Sequence, residues 1–419
     1  MNPLENTLTL PAGAPSSAIA MPRSARAILG LLEKIGHGEL EVRLPGGANL
    51  RFGECGQPRG QAGKISAVLE VNNWSVFDSA LARGDVGFAE AWIDGDWHSP
   101  DLAALLTLFA NNRELMSRAV YGQWWGLLTA RLRHLFNDNT RTGSRRNIMA
   151  HYDLGNDFYR LWLDPTMSYS SALYSGVENR SLASAQLVKY RRIIRQLDIR
   201  PGQRVLEIGC GWGGFAETAA REAGAEVVGL TLSPSQLEFA RERMVTVGLD
   251  DRVQLELRDY RDMHGEQFDH IVSIEMFEAV GERWWPGYFK TLKRLLKPGG
   301  RAAVQSITIR DDLFARYRKG TDFIQQHVFP GGMLPSPSMF SKQAAKAGLT
   351  VRDAFAFGPD YARTLAEWSV SFEREWPAIE RLGFDERFRR VWRFYLAYCQ
   401  SGFNSGCTEV MQFELGHTP

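Results

Sequence analysis

In the stretch VLEIGCGWGG (205–214), a carboxylate, Glu207, stands two residues ahead of the alternating glycines Gly209, Gly211 and Gly213. An apolar run that breaks into glycine reads as a strand passing into a tight turn, where residues without Cβ let backbone approach a ligand. Three ligand classes compete for such a loop. A triphosphate needs Lys followed by Ser or Thr after the last glycine, and here Gly214 is followed by Phe215, Ala216 and Glu217. A dinucleotide wants the spacing G-x-G-x-x-G and a ribose-binding acid at the end of the next strand. That spacing is not kept, and the next strand ends VVGLTLS, with Thr231 and no carboxylate. The remaining candidate, S-adenosylmethionine, carries an ammonium and a sulfonium and no phosphate. Glu207 suits its amino-acid end, and the glycines let backbone come close to it.

The surrounding pattern supplies elements to position that loop. From residue 200 onward, apolar strands alternate with amphipathic helices: RVLEIGC, AEVVGLTL, VQLELRDY, FDHIVSIEMF and RAAVQSITI are strands, with helices over GGFAETAAREAG, SPSQLEFARERMVTVG and GERWWPGYFKTLKRLLKPGG between them. This rhythm predicts an α/β fold with a largely parallel sheet covered on both faces. LTVRDAFAFG and EVMQFEL read as two further strands flanking a helical, aromatic-rich stretch from Ala362 to about Phe403. Residues 28–112 read as a small α+β domain, behind a loose tail over 1–27 rich in Pro, Ala and Ser.

Residues 113–146 hold seven arginines against two acids, with Tyr121, Trp124, Trp125, Leu128, Leu132, Leu135 and Phe136 at helical spacing. They read as basic, aromatic connecting helices. One use of such a surface is contact with an anionic bilayer; the other is packing between domains. The chain as a whole carries a net charge of +1, so it has no global attraction to nucleic acid. Cys55, Cys210, Cys399 and Cys407 form no metal-binding or disulfide spacing, so no metal is expected and a reducing cytoplasm fits. No apolar run approaches the roughly 18 residues of a membrane span, and the N-terminus lacks a signal-peptide pattern.

The motifs HYDLGNDFYRLWLDPTMSYSSALYSG, VLEIGCGWGG, GLTLSPSQ, DYRD, SIEMFEAVG, FIQQHVFPGG and FGPDYARTLAEW, in this order, resemble the cyclopropane-fatty-acyl-phospholipid synthase family, which includes the mycolic acid cyclopropane synthases. The likeness runs from about residue 80 to the end. It implies a class I methyltransferase fold with a seven-stranded sheet and helical acyl-binding insertions over residues 147–419, with S-adenosylmethionine as methyl donor. By position in the motifs, Ser168, Tyr169, Ser170, Gly209, Gly211 and Gly213 would touch the methionine end. Thr231, Leu232 and Gln236 would touch the ribose and adenosine, and Tyr260 with Arg261 the adenine.

The family further implies a bound bicarbonate that steadies a carbocation and takes its proton. Glu278 would be the carboxylate there, Ile307 a backbone donor and Tyr361 the hydroxyl. Two residues depart from the family: Ser171 replaces a cysteine and Gln305 a histidine. Glutamine keeps a donor and an acceptor but takes up no proton near neutral pH. The expected reaction is cyclopropanation of an unsaturated phospholipid acyl chain. The first alternative is methylation without ring closure, giving a methyl-branched, methylene or furan-precursor chain, and the second is a non-catalytic lipid-binding protein. A small-molecule methyltransferase is more distant and would not need residues 1–146. The expected setting is cytoplasmic, peripheral to the inner membrane, with a homodimer as one possible assembly. Trp284, Trp285 and Phe329 are candidates either for an acyl tunnel or for the core.

Overall fold

The computed structural model describes residues 21–53, 65–115 and 154–418. The chain divides into two compact units between residues 123 and 124, inside the stretch expected to connect two domains. Of that stretch only residues 113–115 are described, so the expectation of basic connecting helices lies outside the described residues.

The first unit contains α1 (Arg23–Leu32), β1 (Glu39–Arg43), β2 (Asn49–Gly53), β3 (Ser66–Val71), α2 (Ser75–Asp94), β4 (Trp97–His98) and α3 (Leu102–Asn111). Its sheet runs β2-β1-β3-β4. Helix α1 begins inside the stretch read as a tail, which corrects that boundary: Ala25, Leu29 and Leu32 recur every three to four residues and are buried. The buried amide of Asn112 accepts from the N–H groups of Gly36 and His37 (3.0 and 3.1 Å) and donates to the carbonyls of His37 and Leu108, tying the loop after α1 to the end of α3.

The second unit holds a seven-stranded sheet of β5 (Arg204–Ile208), β6 (Glu226–Thr231), β7 (Val253–Leu257), β8 (Phe268–Ile274), β9 (Leu296–Ile309), β10 (Leu349–Ala356) and β11 (Thr408–His417). The order is β10-β11-β9-β8-β5-β6-β7; β11 runs antiparallel to both its neighbours and the remaining pairs are parallel. Successive side chains of a strand point to opposite faces, and here both faces are covered. Val205, Val272 and Ala303 therefore enter one core, with Phe215 and Ala240, while Leu206, Ile271 and Ala302 enter the other, with Phe289 and Phe340. This is why the strands read as almost unbroken apolar runs.

The helices are α4 (Asn156–Trp162), α5 (Leu182–Leu197), α6 (Gly214–Ala223), α7 (Pro234–Thr246), α8 (Trp285–Leu295), α9 (Asp311–Tyr317), α10 (Phe323–His327), α11 (Pro337–Lys346), α12 (Gly358–Arg381) and α13 (Glu386–Asn404). The single helical stretch expected from Ala362 to Phe403 is two helices. Gly383, at φ +99°, turns the chain between them, and the Asp385 carboxylate caps the second by accepting from Phe388 N–H at 2.8 Å. Helices α4, α12 and α13 meet in a knot of rings: Phe158 lies 5.2 Å from Trp392, Trp162 lies 5.7 Å from Trp368, and Tyr169 lies 5.4 Å from Trp368. Trp285 belongs to the core, fully buried and stacked on Phe277, whereas Trp284 is partly accessible and Phe329 lies 6.1 Å from Tyr395. Among the described residues no helix is long and apolar enough to cross a membrane.

Candidate active site

In an open α/β sheet, ligands collect at the carboxyl ends of the strands where the strand order reverses, because neighbouring connections leave in opposite directions there. That point lies between β5 and β8. Gly209–Gly213 follow β5, Thr231 ends β6, Tyr260 and Arg261 form a 3-10 turn after β7, Glu275 and Glu278 follow β8, and Gln305–Ile307 lie near the end of β9. The expected site residues on the sheet therefore share one edge.

The glycine loop needs its glycines. Gly211 has φ +51°, and a Cβ there would meet no atom within 4 Å, so its open side is room for a ligand. Gly213 has φ +82°, and a Cβ would press on Met244 and Ala240 at 3.1 and 3.3 Å. Glu207 is buried beneath the loop, where it accepts a hydrogen bond from Ala216 N–H, and burial lifts its carboxyl well above the usual range. Its Oε2 has no protein partner. An orphaned buried acceptor beside the loop fits the ammonium of an amino-acid ligand. On the adenosine side, the Thr231 hydroxyl donates to Gln236 Oε1 at 3.1 Å, fixing both at the start of α7, and Leu232 is partly exposed next to them. Tyr260 packs edge-on to Tyr288 at 5.6 Å, and Arg261 is clamped by Asp259 at 2.6–3.0 Å.

The segment Ser168–Ala172 is fastened from several sides. Ser168 shares a hydrogen bond with Tyr190 (2.7 Å), and Tyr169 shares one with Tyr395 (2.7 Å). The carbonyl of Ser170 accepts from Gln186 Nε2 (2.8 Å), and its hydroxyl accepts from Lys189 Nζ (2.6 Å). Lys189 is fully buried. Burial lowers its ammonium to about 8, against the upward pull of Glu275, Asp164 and Glu207.

Of the residues expected around a bicarbonate, Ser171, Gln305 and Tyr361 converge on one carboxylate, that of Glu275. Its Oε1 accepts from Ser171 N–H at 2.8 Å and from Gln305 Nε2 at 2.7 Å, and its Oε2 accepts from the Tyr361 hydroxyl at 2.6 Å. Ser171 acts through its backbone, since its hydroxyl is turned to the Ala172 carbonyl. Ile307 N–H and the Ser306 hydroxyl (3.2 Å) donate to Glu278 Oε1, and Glu278 Oε2 is buried without a partner. Both residues are partly accessible while their carboxylates lie deep among protein atoms. Desolvation is the largest influence on each and pushes both up. Glu275 is drawn back by Lys189, Tyr361, Ser171 and Gln305, while Glu278, beside the Glu275 charge, is pushed to about 8.

Sequence reasoning missed Glu275 and Lys189, although both left a signal. Glu275 directly follows the β8 run FDHIVSI, as Glu207 closes the β5 run, and Lys189 lies between Ala185 and Ile193 on one helical face. Glu275 also has φ +50°, a left-handed conformation that is uncommon outside glycine and is retained where surroundings enforce it.

Sheet order, glycine loop and orphaned acceptor together define a class I S-adenosylmethionine-dependent methyltransferase. Within that class the family follows from comparison: the mycolic acid cyclopropane synthetase family model matches residues 139–413, and the chain belongs to this family. It is 40% identical over 349 residues to tuberculostearic acid methyltransferase UfaA1 of Mycobacterium tuberculosis, covering 80% of this chain and 81% of that one. It is 34% identical over 363 residues to the cyclopropane-fatty-acyl-phospholipid synthase of Escherichia coli K12, covering 84% and 88%. Among solved structures, mycolic acid cyclopropane synthase CmaA1 in complex with SAH and CTAB superposes with a TM-score of 0.60 at 32% identity, over 65% of this chain and 97% of that one.

The Glu278 carboxyl makes stability depend on pH. An unfolded chain releases this proton near 4.5, while the folded protein keeps it to about 8. Folding therefore binds a proton between those values, and the stability it contributes, whole below 4.5, is lost as pH rises toward 8. Thermal melts of Glu278→Gln should show a shallower fall in Tm from pH 5 to 8 than the unmodified protein. Parallel curves would remove Glu278 as the source.

Proposed function

We propose that this enzyme methylates the double bond of an unsaturated acyl chain carried by a membrane phospholipid, and that its own Glu275, rather than a bound bicarbonate, receives the proton released. The observation that carries this reading is the convergence of Ser171, Gln305 and Tyr361 on one carboxylate. A donor set already satisfied by an anion belonging to the chain has no need of a second anion.

S-adenosylmethionine supplies an electrophilic methyl group on a sulfonium. As the alkene π pair forms the new carbon–carbon bond, the neighbouring carbon is left positive. The Glu275 charge lies ready for it, already oriented, and so lowers its energy without reorganisation. Oε1 of Glu275 holds two donors and Oε2 only one, so Oε2 has a free lone pair. The Tyr361 hydroxyl can hand its proton to Oε2 while accepting one from the substrate, and the C–H pair left behind forms the new carbon–carbon bond. Glu278, protonated up to about pH 8, adds no second negative charge to the site below that pH.

That last bond is either a π bond or the third side of a ring. The 40% identity to a relative named as a methyltransferase, together with Gln305 at the position where the resemblance implies a histidine, supports the open-chain, olefinic product. The second reading, ring closure, is favoured by Glu278 and Ile307, both present at positions where the resemblance implies contacts to a bicarbonate, and by the Escherichia coli relative.

Two measurements check this proposal. Incubation with S-adenosylmethionine and vesicles of a monounsaturated phospholipid should add one CH₂ to the acyl chain, and the product should still take up hydrogen under mild catalytic hydrogenation. A product of the same mass that resists hydrogenation is the cyclopropane and would establish the second reading. Glu275→Gln should bind S-adenosylhomocysteine normally but lose roughly 10²- to 10⁴-fold in kcat, the usual worth of a general base. A loss under about tenfold would dismiss Glu275 from that role.

A further inference from the structure

Gln305 is not the last member of its hydrogen-bond chain. On the neighbouring antiparallel strand β11, Gln412 is its register partner, and both residues have no exposed surface. Gln412 Nε2 donates to Gln305 Oε1 at 2.9 Å, and Gln412 Oε1 accepts from Arg192 Nη1 on α5 at 2.6 Å. Arg192, with its side chain 20% exposed, also donates to Gln196 Oε1 at 2.9 Å, lies 3.5 Å from Asp353 and stacks 4.0 Å over Phe355. A continuous line thus runs from near the surface to the Glu275 carboxylate.

The direction of this line is forced from both ends. A carboxamide has a donating and an accepting side, and either can face a neighbour. A guanidinium has no acceptor, so Gln412 must turn its oxygen to Arg192 and its nitrogen to Gln305. Gln305 must then turn its oxygen to Gln412 and its nitrogen to Glu275. Reversing Gln412 would set donor against donor at 2.6 Å on Arg192, and reversing Gln305 would set acceptor against acceptor at 2.7 Å on Glu275. Neither amide can pass a proton along without leaving its ordinary tautomer, so the line transmits orientation and not protons.

We propose that Arg192 and Gln412 are positioning residues for the reaction: through Gln305 they lock an N–H donor onto Glu275 and hold its carboxylate ionised, ready to accept a proton. The inference rests on the reading of Glu275 as proton acceptor. The other groups facing Glu275 are Lys189 of α5, Glu278 of its own loop, Ser171 N–H and the Tyr361 hydroxyl of α12, with Asp164 and Glu207 around Lys189. Lys189 supplies charge but donates to Ser170 and Gln186, so the Gln305 amide is the side-chain nitrogen hydrogen-bonded to Glu275. A surface ion pair between Arg192 and Asp353 needs none of this: at 3.5 Å, with Asp353 half exposed, it would leave Gln412 free to face either way.

The test reads the ionisation of Glu275 directly in the full-length protein, by infrared difference spectroscopy of its carboxyl band across pH, with Glu275→Gln identifying the band. Gln412→Met breaks the line while leaving every charge in place, and should raise the Glu275 pKa by roughly one unit, the scale of one hydrogen bond to a charged group. Arg192→Gln should do the same, because a terminal amide, unlike a guanidinium, lets the line reverse once Glu275 is protonated and so favours the neutral acid, whereas Arg192→Lys, still donor-only, should leave the band where it is. Asp353→Asn changes charge at the same end while leaving the Arg192, Gln412 and Gln305 amide and guanidinium groups in place, and should move the band less than Arg192→Gln.

An unmoved band in Gln412→Met overturns the proposal. If that variant does not fold, shifts of equal size and opposite sign in Arg192→Gln and Asp353→Asn overturn it, since through-space charge would then be the whole effect. Failure of the proton-acceptor reading shows separately, as a Glu275→Gln enzyme that loses less than about tenfold in kcat.

Discussion

A carboxylate set deep in protein must recover the hydration it has lost, and the second unit is arranged around that demand at Glu275. The group receives a backbone N–H from Ser171, an amide from Gln305 and a hydroxyl from Tyr361, with the Lys189 ammonium nearby. Each donor comes from a different part of the chain: the segment before α5, strand β9 and helix α12. Holding one anion therefore fixes the relative positions of the segments that close over the strand ends. The left-handed backbone at Glu275 is consistent with this, because an unfavourable φ persists where several contacts over-determine it.

The sheet brings these donors to one place. Parallel strands deliver their carboxyl ends to a common edge, and the reversal of order between β5 and β8 opens the crevice there. Antiparallel β11 has a further use, since its register sets Gln412 beside Gln305 and carries a polar line through a sheet whose two faces are mainly apolar. Glu207 and Glu278 differ from Glu275 in keeping an unpaired oxygen each. Three acids at neighbouring strand ends thus occupy three electrostatic states: one offers an acceptor beside the glycine loop, one is tied to three donors, and one is held protonated to about pH 8.

Much of this was legible in the sequence. Seven runs became the seven strands: the inner ones, covered on both faces, announce themselves by continuous hydrophobicity, while the edge strands β7 and β10 alternate with polar residues. The glycine loop was legible because an absent Cβ and an absent phosphate clamp are both visible in residue types. Helices α9, α10 and α11 were not read, since short helices with small apolar faces give weak periodicity. The pairing of Glu275 with Tyr361 was hidden for another reason: they stand 86 positions apart, and only the fold decides whether Glu275 or Glu278, one helical turn away, meets that hydroxyl. The line from Gln305 to Arg192 was equally hidden, as it depends on strand register.

If Glu275 takes the place of bicarbonate, as proposed, the anion of this active site belongs to the chain. The most direct measurement is kcat on unsaturated phospholipid vesicles in buffer freed of carbon dioxide, with bicarbonate then titrated back. A rate unchanged by bicarbonate is the predicted result. A rate that collapses without bicarbonate and returns with it would contradict the account, because Glu275 would then not be serving in its place.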